Sequence, residues 1–239
     1  MVEALRAGER IPAEIVVAEG ARDERLRELI ELARTRNVTV KRVPRTDIDR
    51  AVGNTHHQGV MARVSAARYA DVDDLVSSIA TRVGSESEPL VVVLDGVEDP
   101  RNLGAILRTA ECAGVDGVFV PERRAAGLTD VVAKAAAGAV EHVPVARATN
   151  LSRLIEQLKE RNVWVVGTVA DAPLSYTEWD WTRPSAVVLG GEGAGLHRLV
   201  REHCDVLVNI PVRGKIQSLN VSVAAGIVLY EALRQRSLK

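Results

Sequence analysis

Apolar residues change rhythm along this chain, and the change divides it. Within residues 21–37, Leu26, Leu29, Ile30 and Ala33 recur at i, i+3, i+4 and i+7, which predicts an amphipathic helix with arginines outward, closed by Asn37. Short apolar runs at Glu14–Val17, Val38–Val43 and Val60–Val64 predict strands, the second ended by Pro44. The opening MVEALRAGER predicts the end of a helix that stops at Gly8. Residues 1–66 thus read as a small βαβ-type unit. Residues 67–88 are acidic and finish in VGSESEP, which predicts a helix followed by a linker, with a domain boundary near Ser85.

From Pro89 strands alternate with helices. Leu90–Asp95 (LVVVLD) is a continuous apolar run, as a parallel strand buried on both faces requires. Asn102 is predicted to cap a helix that runs to Ala113 and stops at Gly114. Further strands are predicted at Val118–Pro121, Val140–Val145, Val163–Gly167, Ala186–Leu189 and Val206–Ile210, with helices at Val131–Ala139 and Leu151–Arg161. A last, almost wholly apolar helix opens at Ser218, Leu219 and Asn220. The fold class is α/β with a mostly parallel sheet. Such sheets take ligands beyond the carboxyl ends of their strands. Two strand ends and a helix start fall between Ser185 and Arg236, so that segment is the expected ligand crevice.

Composition narrows the classes. The length of 239 residues suits one large domain or two small ones. A net charge of −1 and only seven aromatic residues exclude a general basic coat or stacking platforms as the main contact to nucleic acid. Residues 1–70 hold thirteen Lys/Arg against ten Asp/Glu, which leaves a local basic face open there. Cys112 and Cys204 are the only cysteines, far apart and without ligand spacing, so neither a disulfide framework nor a zinc site is expected. No apolar run approaches 18 residues and no signal peptide is visible; the expected compartment is the cytoplasm.

Three stretches carry candidate chemistry. Gly190-Gly191-Glu192-Gly193-Ala194-Gly195-Leu196 follows an apolar run, so backbone can approach a ligand closely there. It is not a dinucleotide fingerprint, because the third glycine would fall on Leu196, and GxxxxGK[ST] is absent. A tight turn without function and a solvated loop charge at Glu192 are the competing readings. In DGVEDPRNLGAILRTAECAG (Asp95–Gly114), Asn102 is either a helix cap or a site residue. Arg108 lies on a helix otherwise mostly apolar, where a lone guanidinium calls for an anion. Ser218, Asn220 and Ser222 give more polar groups than a cap requires. His56 and His57 read as surface histidines in a turn, and Cys112 as a small buried hydrophobe.

In this order DGVEDPRNLGAILRTAECAG, VVLGGEGAGL and IPVRGKIQSLNVSVAAGIVLYEALRQR resemble the SpoU (TrmH-type) branch of the SPOUT RNA 2′-O-methyltransferases, and they span the last 150 residues. HHQG before a strand resembles the small, ribosomal-protein-like RNA-binding domain of the bacterial branch that methylates a guanosine of 23S rRNA. The resemblance implies residues 1–66 as that domain, 67–88 as linker and 89–239 as a SPOUT domain with a trefoil knot over about Val187–Leu229. It also implies S-adenosylmethionine as methyl donor with no metal, RNA (23S rRNA) as substrate, a homodimer through the knot region and no membrane. Gly190, Ile210 and Leu219 would contact the donor, with Gly191, Thr168 and Val212 as neighbours. Asn102, Arg108, Glu192, Ser218 and Asn220 match the catalytic positions. Arg108 would clamp the substrate phosphate, Asn102 would orient Arg108, and Glu192 and Asn220 would hold donor and arginine in register. Val212 replaces the usual Met, and the Gly-x-His segment that usually opens the first domain is absent, which implies a shortened start. A tRNA guanosine 2′-O-methyltransferase, a resistance-type rRNA adenosine enzyme and a non-catalytic RNA-binding assembly factor are the alternatives.

Overall fold

A computed structural model describes residues 2–8, 11–20, 24–52, 57–62, 67–193, 195–216 and 218–238. Its backbone contacts form two compact units, Met1–Ala67 and Arg68–Lys239.

In the first unit α1 (Val2–Ala7) precedes β1 (Glu14–Ala18), α2 (Glu24–Thr35), β2 (Thr39–Val43), α3 (Arg45–Val52) and β3 (Val60–Ala62). The sheet order is β2-β1-β3, with β2 parallel and β3 antiparallel to β1. The i, i+3, i+7 stripe of α2 buries Leu26, Leu29 and Ala33 against Ile15 and Val17. Helix α3 has no counterpart among the expected elements; half of its residues are charged, and Ile48 alone of the eight is buried. His57 departs from its reading as a surface residue. Its side chain is 7% exposed, meets Asp49 Oδ1 at 2.6 Å through Nε2 and accepts the Gly59 N–H at Nδ1, 3.0 Å away. His56, like the end of the strand predicted to Val64, lies outside the described residues.

The second unit begins with α4 (Val72–Ala80), capped by Asp71 and buried through Leu75, Val76 and Ile79. Residues 67–88, expected as helix plus linker, therefore contribute a packed helix to this unit. There follow β4 (Leu90–Asp95), α5 (Pro100–Cys112), β5 (Gly117–Pro121), α6 (Asp130–Ala135), a 3₁₀ turn (Ala139–Glu141), β6 (Val145–Ala148), α7 (Leu151–Glu160) and β7 (Trp164–Thr168). The chain closes with β8 (Leu174–Ser175), β9 (Ser185–Gly190), α8 (Arg198–His203), β10 (Val206–Asn209) and α9 (Val221–Arg236). The sheet holds seven parallel strands in the order β6-β5-β4-β9-β7-β10-β8.

Strand β4 shows why this sheet forms. Leu90, Val92 and Leu94 pack with Leu103, Leu107 and Val228 on one face, while Val91 and Val93 pack with Ile79, Leu154 and Leu158 on the other. Each such fully buried side chain contributes about 1.5 kcal/mol or more. Strand β9, late in the chain, inserts between β4 and β7, so strand order reverses there and the carboxyl ends of β4, β9, β7 and β10 come together.

Several boundaries differ from expectation. The strand predicted from Val140 begins at Val145, because Gly138 at φ 104° and the 3₁₀ turn end α6 early. Helix α5 is capped by Asp99, whose side chain accepts the Arg101 N–H at 2.7 Å, with Pro100 opening the first turn. Asn102 is thus inside the helix, its side chain released from capping. No helix among the described residues is long and apolar enough to cross a membrane.

Candidate active site

The carboxyl ends of β7, β9 and β10 and the start of α9 enclose a cleft of about 590 Å³. Leu189, Leu196, Ile210, Leu219, Val221 and Ala224 give it apolar walls. Thr168, Gly190, Gly191, Glu192, Val212, Ser218 and Asn220, all singled out from sequence, also line it.

The glycine turn is shaped by close backbone approach. A Cβ on Gly191 would overlap the Gly96 carbonyl, and one on Gly190 would overlap the Gly195 backbone. The turn carries Glu192 to a polar cluster of three side chains. Asn102 Nδ2 donates to Glu192 Oε1, while Asn220 Nδ2 donates to Asn102 Oδ1 (3.1 Å) and to Glu192 Oε1 (3.3 Å). Asn220 Oδ1 meanwhile accepts the Ser222 N–H at 2.9 Å and so caps α9. Glu192 therefore sits at the amino ends of two helices, α5 and α9, where the backbone dipoles favour its negative charge.

Arg108 is not part of this cluster. It is exposed on the outward face of α5 with Arg101 and Cys112, and among the described residues it has no hydrogen bond or ion pair. The expected buried arginine is corrected accordingly, as is the link from Asn102, which binds Glu192 and Asn220 instead. Cys112 is likewise exposed rather than buried; Cys204 is the enclosed thiol, its pKa pushed up to about 12 by burial, and it donates to the Val200 carbonyl. At the cleft rim Arg201 Nη2 meets Asp171 Oδ2 at 2.9 Å, and this hydrogen bond holds the Asp171 carboxyl below its usual range.

Sequence reasoning misses the residue that fixes the turn. Asp95 ends β4 and is buried; its carboxylate accepts the His197 N–H (2.7 Å) and meets His197 Nδ1 (2.8 Å), while its carbonyl accepts the Gly191 N–H (2.7 Å). One residue thus grips both ends of the loop that carries Glu192. No local signal reveals this, because the partners lie 102 positions apart. Asp95→Ala is expected to cost about 2–3 kcal/mol of stability, since both carboxylate hydrogen bonds to His197 vanish and the His197 N–H loses its partner. Thermal unfolding with hydrogen exchange at Gly191 and His197 checks this, and unchanged protection of both amides would count against it.

Residues 89–230 match the SpoU rRNA Methylase family, and residues 2–70 match RNA 2′-O ribose methyltransferase substrate binding. The chain belongs to the SpoU rRNA methylase family. Members are RNA 2′-O-methyltransferases that use S-adenosylmethionine, and so is this SpoU chain. A Bacillus subtilis protein assigned to the TrmH family of tRNA/rRNA methyltransferases is 44% identical over 237 residues, covering 99% of this chain and 93% of that protein. The 23S rRNA (guanosine-2′-O-)-methyltransferase of Pseudomonas syringae pv. tomato is 46% identical over 228 residues, covering 94% of this chain and 88% of that protein. Among solved structures, the SpoU methyltransferase AviRb from Streptomyces viridochromogenes, in complex with AdoMet, superposes with a TM-score of 0.79 at 25% identity, covering 99% of this chain and 87% of the other.

Proposed function

We propose that this SpoU enzyme methylates the ribose 2′-hydroxyl of a guanosine in 23S rRNA, in the cytoplasm. The observation that carries the choice of RNA is the match to the Pseudomonas syringae 23S rRNA enzyme across both units, substrate-binding region included. The description of the Bacillus subtilis relative, which covers tRNA and rRNA alike, favours a tRNA substrate as the second reading.

The cleft fits an adenosyl ligand. Its size is that of a small-molecule site, its walls are apolar, and the turn offers backbone groups unobstructed by side chains at Gly190 and Gly191. Gly190, Ile210 and Leu219 are the proposed donor contacts, with Gly191, Thr168 and Val212 beside them. When bound, the donor supplies a methyl group on a sulfonium, already activated toward a hydroxyl oxygen. The protein's part is alignment and management of the hydroxyl proton. Asn102 and Asn220 fix the Glu192 carboxylate, whose second oxygen remains able to accept from an amine or hydroxyl. Ser218 stands beside them on the cleft wall. Arg108, exposed on α5 and outside the polar cluster, is open to the RNA, and its proposed role is electrostatic: it holds a substrate phosphate and stabilises oxyanion charge as the proton leaves to phosphate or water.

Two further parts of the reading concern assembly. The segment from about Val187 to Leu229 is proposed to thread as the family's trefoil knot, supported by the return of α9 onto α5 and β9. The outward face of α9 exposes Val223 and Tyr230 at 50% and 51%, which supports a homodimer through this region.

Arg108→Ala is expected to lower methyl transfer by about 100-fold or more, the scale of removing one oxyanion donor, with donor affinity unchanged. Calorimetry with S-adenosylmethionine and a radiolabelled transfer assay check this; full activity in the variant would remove Arg108 from the site. Mass-spectrometric mapping of 2′-O-methyls in 23S rRNA and tRNA from a deletion strain decides between the two substrates.

A further inference from the structure

We infer that Arg213 and Lys215, on the loop joining β10 to α9, dock the phosphodiester backbone of the RNA beside its target nucleotide. This rests on the chain acting on RNA, and extends it to a surface and its residues.

The loop is a wall of the cleft, since Val212 and Ser218 line it. Between Val206 and Tyr230 there is no Asp or Glu, and Arg213 and Lys215 are the only Lys/Arg. Both are exposed, and among the described residues neither has an ion pair or hydrogen bond. Ile216 beside them is 77% exposed, so the tip of the loop projects outward and is not folded back on the chain.

Charge within the cleft explains why these two stay unneutralised. The acids lining it are Asp171 and Glu192. Asp171 is committed to Arg201, and Glu192 accepts from the amides of Asn102 and Asn220. Two uncompensated cations therefore stand on one wall of the opening. A polyanion approaching the methyl-transfer site neutralises them and releases its own counterions. Such cations set position without reading sequence, which suits a loop outside the nucleotide pocket.

The test uses the full chain saturated with S-adenosylmethionine and a fluorescent single-stranded oligoribonucleotide, with Kd measured across a salt series. In Arg213→Gln/Lys215→Gln the plot of log Kd against log salt is expected to flatten by about 1.4, roughly 0.7 for each phosphate no longer neutralised. Kd near physiological salt should rise about tenfold, with donor affinity unchanged. Arg153→Gln/Arg161→Gln, exposed positions on and just after α7, removes the same charge elsewhere as a control. An unchanged slope, an equal weakening in the control, or a change in sedimenting mass in place of RNA affinity each overturns the inference. The choice between 23S rRNA and tRNA is tested apart from this, by which RNA carries the methyl group; either answer leaves the binding result standing.

Discussion

Gly191→Ala is expected to weaken donor binding by about a hundredfold or more. The added Cβ would overlap the carbonyl oxygen of Gly96, with the carbonyl carbon only 2.6 Å away. Both partners are backbone, so no side chain can rotate aside. Nor can the turn move as a body: the Gly191 N–H is bound to the Asp95 carbonyl at 2.7 Å, and β4 and β9 stay in register from Leu90↔Ser185 to Asp95↔Gly190. Relief must come by shifting Gly96 or the turn, at a cost of about 3 kcal/mol, the upper part of the overpacking range. Either movement displaces Glu192 and the wall of the cleft. Calorimetry should show at least about a hundredfold drop in affinity, by the conversion of 1.4 kcal/mol per tenfold, with circular dichroism confirming a folded chain. Wild-type affinity in the variant would mean that the donor does not bind against this turn.

Removing Arg236 should have the largest effect on stability. Its guanidinium, at the end of α9, donates to the carbonyls of Trp181, Arg183, Glu88 and Pro89. Those acceptors belong to segments leading into β4 and β9, so one side chain ties the last helix to the amino edge of the sheet, opposite the cleft. Burial pushes the guanidinium's pKa down, and its hydrogen bonds to these carbonyls are charge-assisted. Arg236→Ala leaves these carbonyls under-satisfied and is expected to cost about 3 kcal/mol. Urea unfolding should show a lower midpoint at unchanged slope. Because the cleft is at the other edge, donor affinity in the folded variant should stay near wild type; weaker donor binding at wild-type stability would contradict this division.

How far the sequence can be read follows from where each signal resides. Strand β4 announces itself because six consecutive side chains are buried on two faces. Helix α3 does not, because its sequence RTDIDRAV buries only Ile48 and offers no stripe. Strand β8, two residues long, is defined by its pairing with β10 and by nothing in its own composition. At the site, the residue types at 102, 192 and 220 are visible, but not their partnership: the bonds span 90, 118 and 28 positions and depend on β9 inserting beside β4. Asn102 reads as a cap because polar residues before apolar runs usually are; Asp99 already holds that place. The apolar neighbours of Arg108 suggest burial, although its spacing from Arg101 and Cys112 traces one outward stripe of a helix.

Position 220 shows how narrow the choice of residue becomes when fold and site share one side chain. Its amide oxygen caps the start of a helix while its amide nitrogen steadies a carboxylate. Aspartate would keep the cap and set a second negative charge against Glu192. Serine would cap as well but is too short to reach across, and glutamine would reach but forfeit the capping geometry. Within the ordinary amino acids only asparagine answers both demands, so this position has almost no freedom to drift while the enzyme stays both folded and active.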